Sequence, residues 1–185
     1  FLNALLQPSG SRQFKLAIEK INELDGELAK AFQKKLHKSE GCINILLTGS
    51  YDGLTRKLFD SVCLGVADSA LEKKFKNKLL SYHKDHSEDP QSRNVLEAIS
   101  MLQKYLKESK LNFKGITITI DELGKHVEYA GSNQRDGDIY ILQELAEHCV
   151  KESEIPVFFN VMLHQAIEFY AKDLDKETKN EWRKI

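Results

Sequence analysis

The chain has 185 residues, enough for one full core or for part of a larger domain. Lys and Arg total 27 against 28 Asp and Glu, a formal net charge of −1, which gives no electrostatic case for a dedicated nucleic-acid or membrane-surface binder. No apolar run approaches the roughly 18 residues needed to span a bilayer. The longest candidate, residues 155–163, is interrupted by Pro156 and Asn160.

Taken in chain order, residues 1–6 read as the end of an apolar helix, broken by Pro8, Ser9, Gly10 and Ser11. From Phe14, apolar residues recur at Ala17, Ile18, Ile21, Leu24, Leu28, Ala31, Phe32 and Leu36, which predicts one amphipathic helix with Glu and Lys on its outer face. After a loop at 39–41, the run Cys42-Ile43-Asn44-Ile45-Leu46-Leu47 predicts a buried strand. Thr48 to Gly53 forms the turn, with Asp52 as candidate cap of a helix whose face is Leu54, Leu58, Val62 and Val66. A weaker helix is predicted over 69–81.

The polar stretch 82–92, with His83, Asp85, His86, Glu88 and Asp89, predicts a loop, and Asp89-Pro90 a helix start. The helix that follows carries Val95, Leu96, Ile99, Leu102 and Leu106. Gly115 opens a β-branched strand over 116–120. A loop at 131–137 leads to a helix capped by Asp138, with Ile141, Leu142, Leu145 and Cys149 as its apolar face. A third strand is predicted over 156–163, then polar helical sequence over 166–182.

Strands alternating with long helices imply right-handed parallel crossovers and helices on both sheet faces. The fold expected is α/β, a three-layer sandwich on a parallel sheet of about three strands. It forms a single domain, with a helical lead-in over 1–40, a β-α-β core over 41–185 and a helical insertion over 67–110. Cys42, Cys63 and Cys149 are odd in number, far apart and set in apolar patterns, so free buried thiols and a reducing cytoplasm are expected. Phe1 is not an initiator, and the sequence reads as an internal segment.

In such sheets, sites form at the carboxyl ends of the strands. The sharpest feature is Asp121-Glu122, two adjacent acids ending an apolar strand. In a nucleotide hydrolase the first acid holds magnesium through water and the second orients the attacking water. The competing reading, at similar odds from spacing alone, is that Asp121 caps a short helix over 123–129. His164-Gln165 follows the third strand, where a polar side chain can contact a γ-phosphate; a lone histidine there more often satisfies a carbonyl. Thr48-Gly49-Ser50 could form a small phosphate nest, but G-x-x-x-x-G-K-[ST] occurs nowhere in the chain. His83-x-x-His86 lacks a third nearby His or Cys ligand, and His126-x-Glu128 lacks the P-C-x-x-C of a zinc deaminase.

The strings G-I-T-I-T-I-D-E-L-G-K-H-V-E-Y-A from Gly115, G-D-I-Y-I-L-Q-E-L-A-E from Gly137 and M-L-H-Q-A-I-E-F-Y-A from Met162 resemble large bacterial P-loop ATPases related to the AAA and STAND classes. Some of these are associated with restriction or anti-phage systems. The likeness spans roughly residues 115–182; the first part of the chain fits only in layout. It implies that Asp121 is the magnesium-site acid, Glu122 the catalytic glutamate, and His164 or Gln165 the sensor. Gly124 and Lys125 match the motif without an implied role, and Arg183 is a weak candidate for a charge-stabilising finger.

The resemblance further implies a phosphate-binding loop before Phe1, with residues 1–6 ending the helix that follows it. Its strand would lie between the second and third strands of this chain, leaving a gap closed by rearrangement or self-association. Mg and ATP are expected as ligands only together with that loop, so the chain alone should be inactive. Nothing in the charge selects a protein or nucleic-acid client, and no membrane partner is expected. Two other classes remain open: a non-catalytic α/β interaction domain, and a small flavodoxin-like or receiver-like domain.

Overall fold

The computed structural model describes residues 1–66, 71–133, 139–165 and 167–170. Three strands, β1 (Ile43–Thr48), β2 (Ile116–Asp121) and β3 (Val157–Val161), form one parallel sheet in the order β1-β2-β3. Ile43 pairs with Ile116, which pairs with Val157, and the register continues to Thr48 opposite Asp121. The architecture is the expected α/β sandwich on a three-stranded parallel sheet.

The strand expected between β2 and β3 has no place there, because their backbones hydrogen-bond directly from Ile116–Val157 to Ile120–Val161. Any further strand must add outside β3 or outside β1. Strand order is a tertiary property, and the local sequence of each strand does not encode it.

One sheet face is fully apolar. Ile43, Ile45, Leu47, Ile116, Ile118, Ile120 and Val157 are buried in one cluster with the apolar stripes of the helices. Those helices are α4 (Leu54–Leu64), which follows β1, then α5 (Lys73–His86) and α6 (Ser92–Glu108), which lead to β2, and α8 (Ile141–Cys149), which leads to β3. The predicted α6 face is borne out, with Val95, Ile99 and Leu102 fully inaccessible. Each such side chain contributes about 1.5–3 kcal/mol by burial. On β1 the alternate residues Asn44, Leu46 and Thr48 are exposed, Leu46 at 67%. On β3, Phe158 is half exposed.

Residues 1–40 build a second, smaller core. After the short α1 (Leu2–Leu5), the predicted single helix divides into α2 (Arg12–Leu24) and α3 (Gly26–Lys35) at Asp25. Asp25 has extended backbone, ends α2 through its own N–H to Ile21, and caps α3 by accepting from the Leu28 N–H. The two helices fold against each other around Phe14, Ala17, Ile18, Ile21 and Ala29. Leu24, predicted on the apolar face, therefore lies at the corner, 91% exposed.

The loop expected over 82–92 begins only after His86, since α5 runs to that residue. The helix start at Asp89-Pro90 falls two residues later than expected: α6 begins at Ser92 with a reciprocal Gln91–Asn94 capping box. Asp52 does not cap α4, whose N-cap is Gly53 with no side-chain bond; the Asp52 carboxylate instead pairs with Lys57 at 3.0 Å. Asp138 and Arg183 lie outside the described residues.

The three cysteines are free, Cys63 buried and Cys42 and Cys149 half-buried. Burial pushes the Cys63 thiol up to about 12 and the Cys42 thiol up to about 11. No helix among the described residues is long and apolar enough to cross a membrane.

Candidate functional site at the strand carboxyl ends

Parallel pairing brings the ends of β1, β2 and β3 to one edge of the sheet. Asp121 closes β2 opposite Thr48 and is partly buried. Glu122 follows in left-handed backbone conformation, φ 56° and ψ 43°, and is the N-cap residue of α7 (Leu123–Ser132) without a side-chain cap bond. Neither acid therefore serves α7 through its carboxylate, which removes the competing reading of Asp121 as a cap. A non-glycine residue in this region costs on the order of 1–3 kcal/mol, which the surroundings must hold in place.

Two contacts do so. The Gly49 N–H donates to the Asp121 carbonyl at 2.8 Å, and the Leu123 N–H donates to the Met162 carbonyl at 3.1 Å. Gly49 packs so closely that a Cβ there would fall 2.2 Å from the Glu122 carbonyl oxygen. The Gly49 amide is thereby spent within the fold, so Thr48-Gly49-Ser50 does not present it to a phosphate as the sequence had allowed.

The Glu122 carboxylate sits between the Lys125 ammonium and the His164 imidazole. Lys125, one helical turn on, donates to Oε2 at 2.6 Å, and Nε2 of His164 lies 3.9 Å from Oε1. The Lys125 hydrogen bond and charge hold the Glu122 carboxyl below its ordinary value, with a smaller contribution from His164, and the same pairing raises Lys125. His164 is 77% exposed at its side chain, and its backbone N–H donates to the Tyr170 hydroxyl at 3.3 Å. Gln165 is exposed.

The structure thus brings Asp121, Glu122 and His164 to one edge of the sheet. It adds Lys125, whose spacing of three from Glu122 was a signal in the sequence, and Tyr170, which left none. A further group, the Tyr51 hydroxyl, donates to the Glu128 carboxylate beside them.

His126 stands behind the site. It is 1% exposed, and its Nδ1 is 2.8 Å from the Asp52 carbonyl oxygen, so Nδ1 must carry the hydrogen. Its Nε2 and the Ser50 hydroxyl oxygen are buried without a protein partner. Burial lowers the His126 pKa from its ordinary value, against an opposing contribution from the Asp52 carbonyl. This histidine pins the β1–α4 turn to α7.

The other histidine pair is structural. On α5, His83 bonds Asp60 at 2.7 Å and stacks on Phe59, and His86 bonds the Tyr82 carbonyl at 2.9 Å. A cleft of about 780 Å³ between α2 and α3, lined by Phe14, Ile18, Glu19 and His37 among others, contains none of the strand-end residues.

Among the described residues no group of three His, Cys, Asp or Glu side chains could hold a metal ion. Asp121 alone could meet a magnesium ion only as one carboxylate acting through water, and the other ligands would have to come from water and phosphate oxygens. No family model, curated protein or solved structure matches the chain.

Proposed function

We propose that the chain is an internal segment of a P-loop ATPase that supplies the acidic half of a magnesium–ATP site. The observation that carries the reading is the convergence of Asp121, Glu122 and His164 at the ends of two adjacent parallel strands, with Glu122 held in strained backbone. Asp121 would meet the metal through water, Glu122 would orient the attacking water, and His164 or Gln165 would contact phosphate. The phosphate-binding loop comes from elsewhere in the polypeptide. Its strand has room beside β3, whose side away from β2 has no paired strand among the described residues. Lys125 holds one Glu122 oxygen, Oε2, and the other, Oε1, would orient the water.

The test uses a longer polypeptide that includes a G-x-x-x-x-G-K-[ST] loop upstream of Phe1. Glu122→Gln should bind ATP and lose turnover, and Asp121→Asn should lose magnesium-dependent binding as well. Wild-type turnover in Glu122→Gln, or the absence of such a loop upstream, would defeat the proposal. The 185-residue chain alone should show no ATP hydrolysis. Magnesium-dependent turnover by it, abolished in Glu122→Gln, would refute the half-site reading.

The consumed Gly49 amide favours a second reading, a non-catalytic α/β interaction domain. On that reading both substitutions leave nucleotide binding and turnover of the longer polypeptide unchanged.

A further inference from the structure

Gly124 lies in the first turn of α7 with ordinary helical backbone, so conformational freedom does not explain a glycine there. Space does. A Cβ built at Gly124 would fall 2.1 Å from Cε1, 2.3 Å from Cζ and 2.7 Å from Cδ1 of Tyr170. The phenol ring therefore rests directly on the helix backbone, two residues after the strained dihedrals of Glu122.

Tyr170 belongs to α9 (Ile167–Tyr170), packs against the main core, and accepts the His164 N–H on its hydroxyl. The segment after β3 is thus tied to the start of α7 twice. One tie is the Leu123–Met162 backbone bond, and the other passes through the ring of Tyr170. Between the two ties lies His164, whose imidazole faces the Glu122 carboxylate at 3.9 Å.

We propose that Tyr170 is a positioning residue: seated on Gly124, it fixes the segment after β3 so that His164 faces Glu122 across the strand ends. What His164 and Glu122 then do rests on the proposed function; the packing claim does not. It gives Gly124 a physical role, as a position on α7 where no Cβ bars the aromatic ring.

The test is NMR on the 185-residue chain without nucleotide. The imidazole signals of His164 should move when Glu122→Gln is introduced, because the two side chains are neighbours. That response should vanish in the Tyr170→Ala background and in the Gly124→Ala background, where the ring is displaced. Tyr170→Phe keeps the ring and removes only the hydroxyl. It should preserve the response while His164 amide exchange rises roughly two- to tenfold, as expected for loss of one hydrogen bond. Gly124→Ala should also destabilise the chain, opposite in sign to the usual helix-propensity gain from such a change.

An unchanged His164 response in Tyr170→Ala would overturn the proposal. So would a Tyr170→Phe variant in which the response is lost although its amide spectrum elsewhere is that of the wild type. A positive result together with an inactive longer polypeptide would refute the ATPase reading and leave the positioning role standing.

Discussion

Replacing Gly49 by alanine tests whether the turn after β1 and the Glu122 corner are built as one unit. Gly49 does not have positive φ, so the cost is steric. The new methyl would meet the Glu122 carbonyl oxygen at 2.2 Å and its Cβ at 2.9 Å, where 3.4 Å begins ordinary contact. Both obstacles are fixed to the backbone, so the two strand ends must separate by about 1 Å. Overpacking of this kind costs about 1–3 kcal/mol. Separation also strains the 2.8 Å bond from the Gly49 N–H to the Asp121 carbonyl, worth about 0.5–1.5 kcal/mol net. The expected loss is roughly 2–4 kcal/mol, and at about 2–4 °C per kcal/mol for a chain of this size Tm should fall by roughly 4–16 °C. Thermal unfolding followed by circular dichroism measures it. Gly10→Ala is the control, since nothing lies within 4 Å of a Cβ there, and it should stay within about 0.5 kcal/mol of wild type. A Gly49→Ala chain that melts with the control would show that the close approach at Glu122 does not exist.

Leu102→Ala removes a fully inaccessible side chain of α6 and should lower unfolding free energy by about 2–5 kcal/mol in urea titrations; a change under about 1 kcal/mol would place α6 outside the core. His126 is neutral in the fold with its pKa lowered by burial. Its contribution is therefore present above the ordinary histidine value and is lost as pH falls from there through the folded value. The urea midpoint of the wild type should accordingly drop more between pH 7.5 and 5.5, both taken as roughly one unit either side of 6.5, than that of His126→Gln; equal slopes would exclude a buried neutral imidazole. At β3, Phe158 and Val161 are 49% and 43% exposed and Met162 is 51% exposed, on an edge without a guarding charge. Sedimentation should show self-association of the chain at high concentration that Val161→Lys reduces, and a concentration-independent monomer in the wild type would contradict it.

The strands were legible because burial leaves a local mark. Ile43, Ile45, Ile116, Ile118 and Ile120 are β-branched and recur at every second position, and each predicted strand falls within a few residues of the observed one. The same logic misled at Asp25. Apolar spacing continues through Leu24 and Leu28, yet Asp25 both ends one helix and caps the next. A polar residue that could sit on the wet side of a long helix looks the same in sequence as one that breaks it. Residues 82–86 read as loop because their polarity hides what they touch: His83 lies on Phe59 and Asp60, residues 23 or so positions away.

At the candidate site, adjacency of Asp121 and Glu122 and their strand-end position were visible. The roles of Gly49, Gly124 and Tyr170 were not, since each depends on a long-range approach that no spacing rule describes. The positions of the open edges were also beyond the sequence. Among the described residues the sheet is open outside β3 and outside β1, and not between β2 and β3, because pairing partners are chosen in three dimensions.

The half-covered sheet has a consequence for how substitutions are accepted. Along β1 the burial alternates strictly, Ile43, Ile45 and Leu47 inside and Asn44, Leu46 and Thr48 outside. Along β2 the first three residues are all buried, Thr117 at 3% exposure among them. A saturation library should therefore show tolerance with a period of two in β1 and near-uniform intolerance at the start of β2. Leu46, as apolar as its neighbours, would accept polar replacements that Ile45 rejects. Hydropathy would then be a poor guide to which leucines and isoleucines this chain can spare, and position across the sheet a good one.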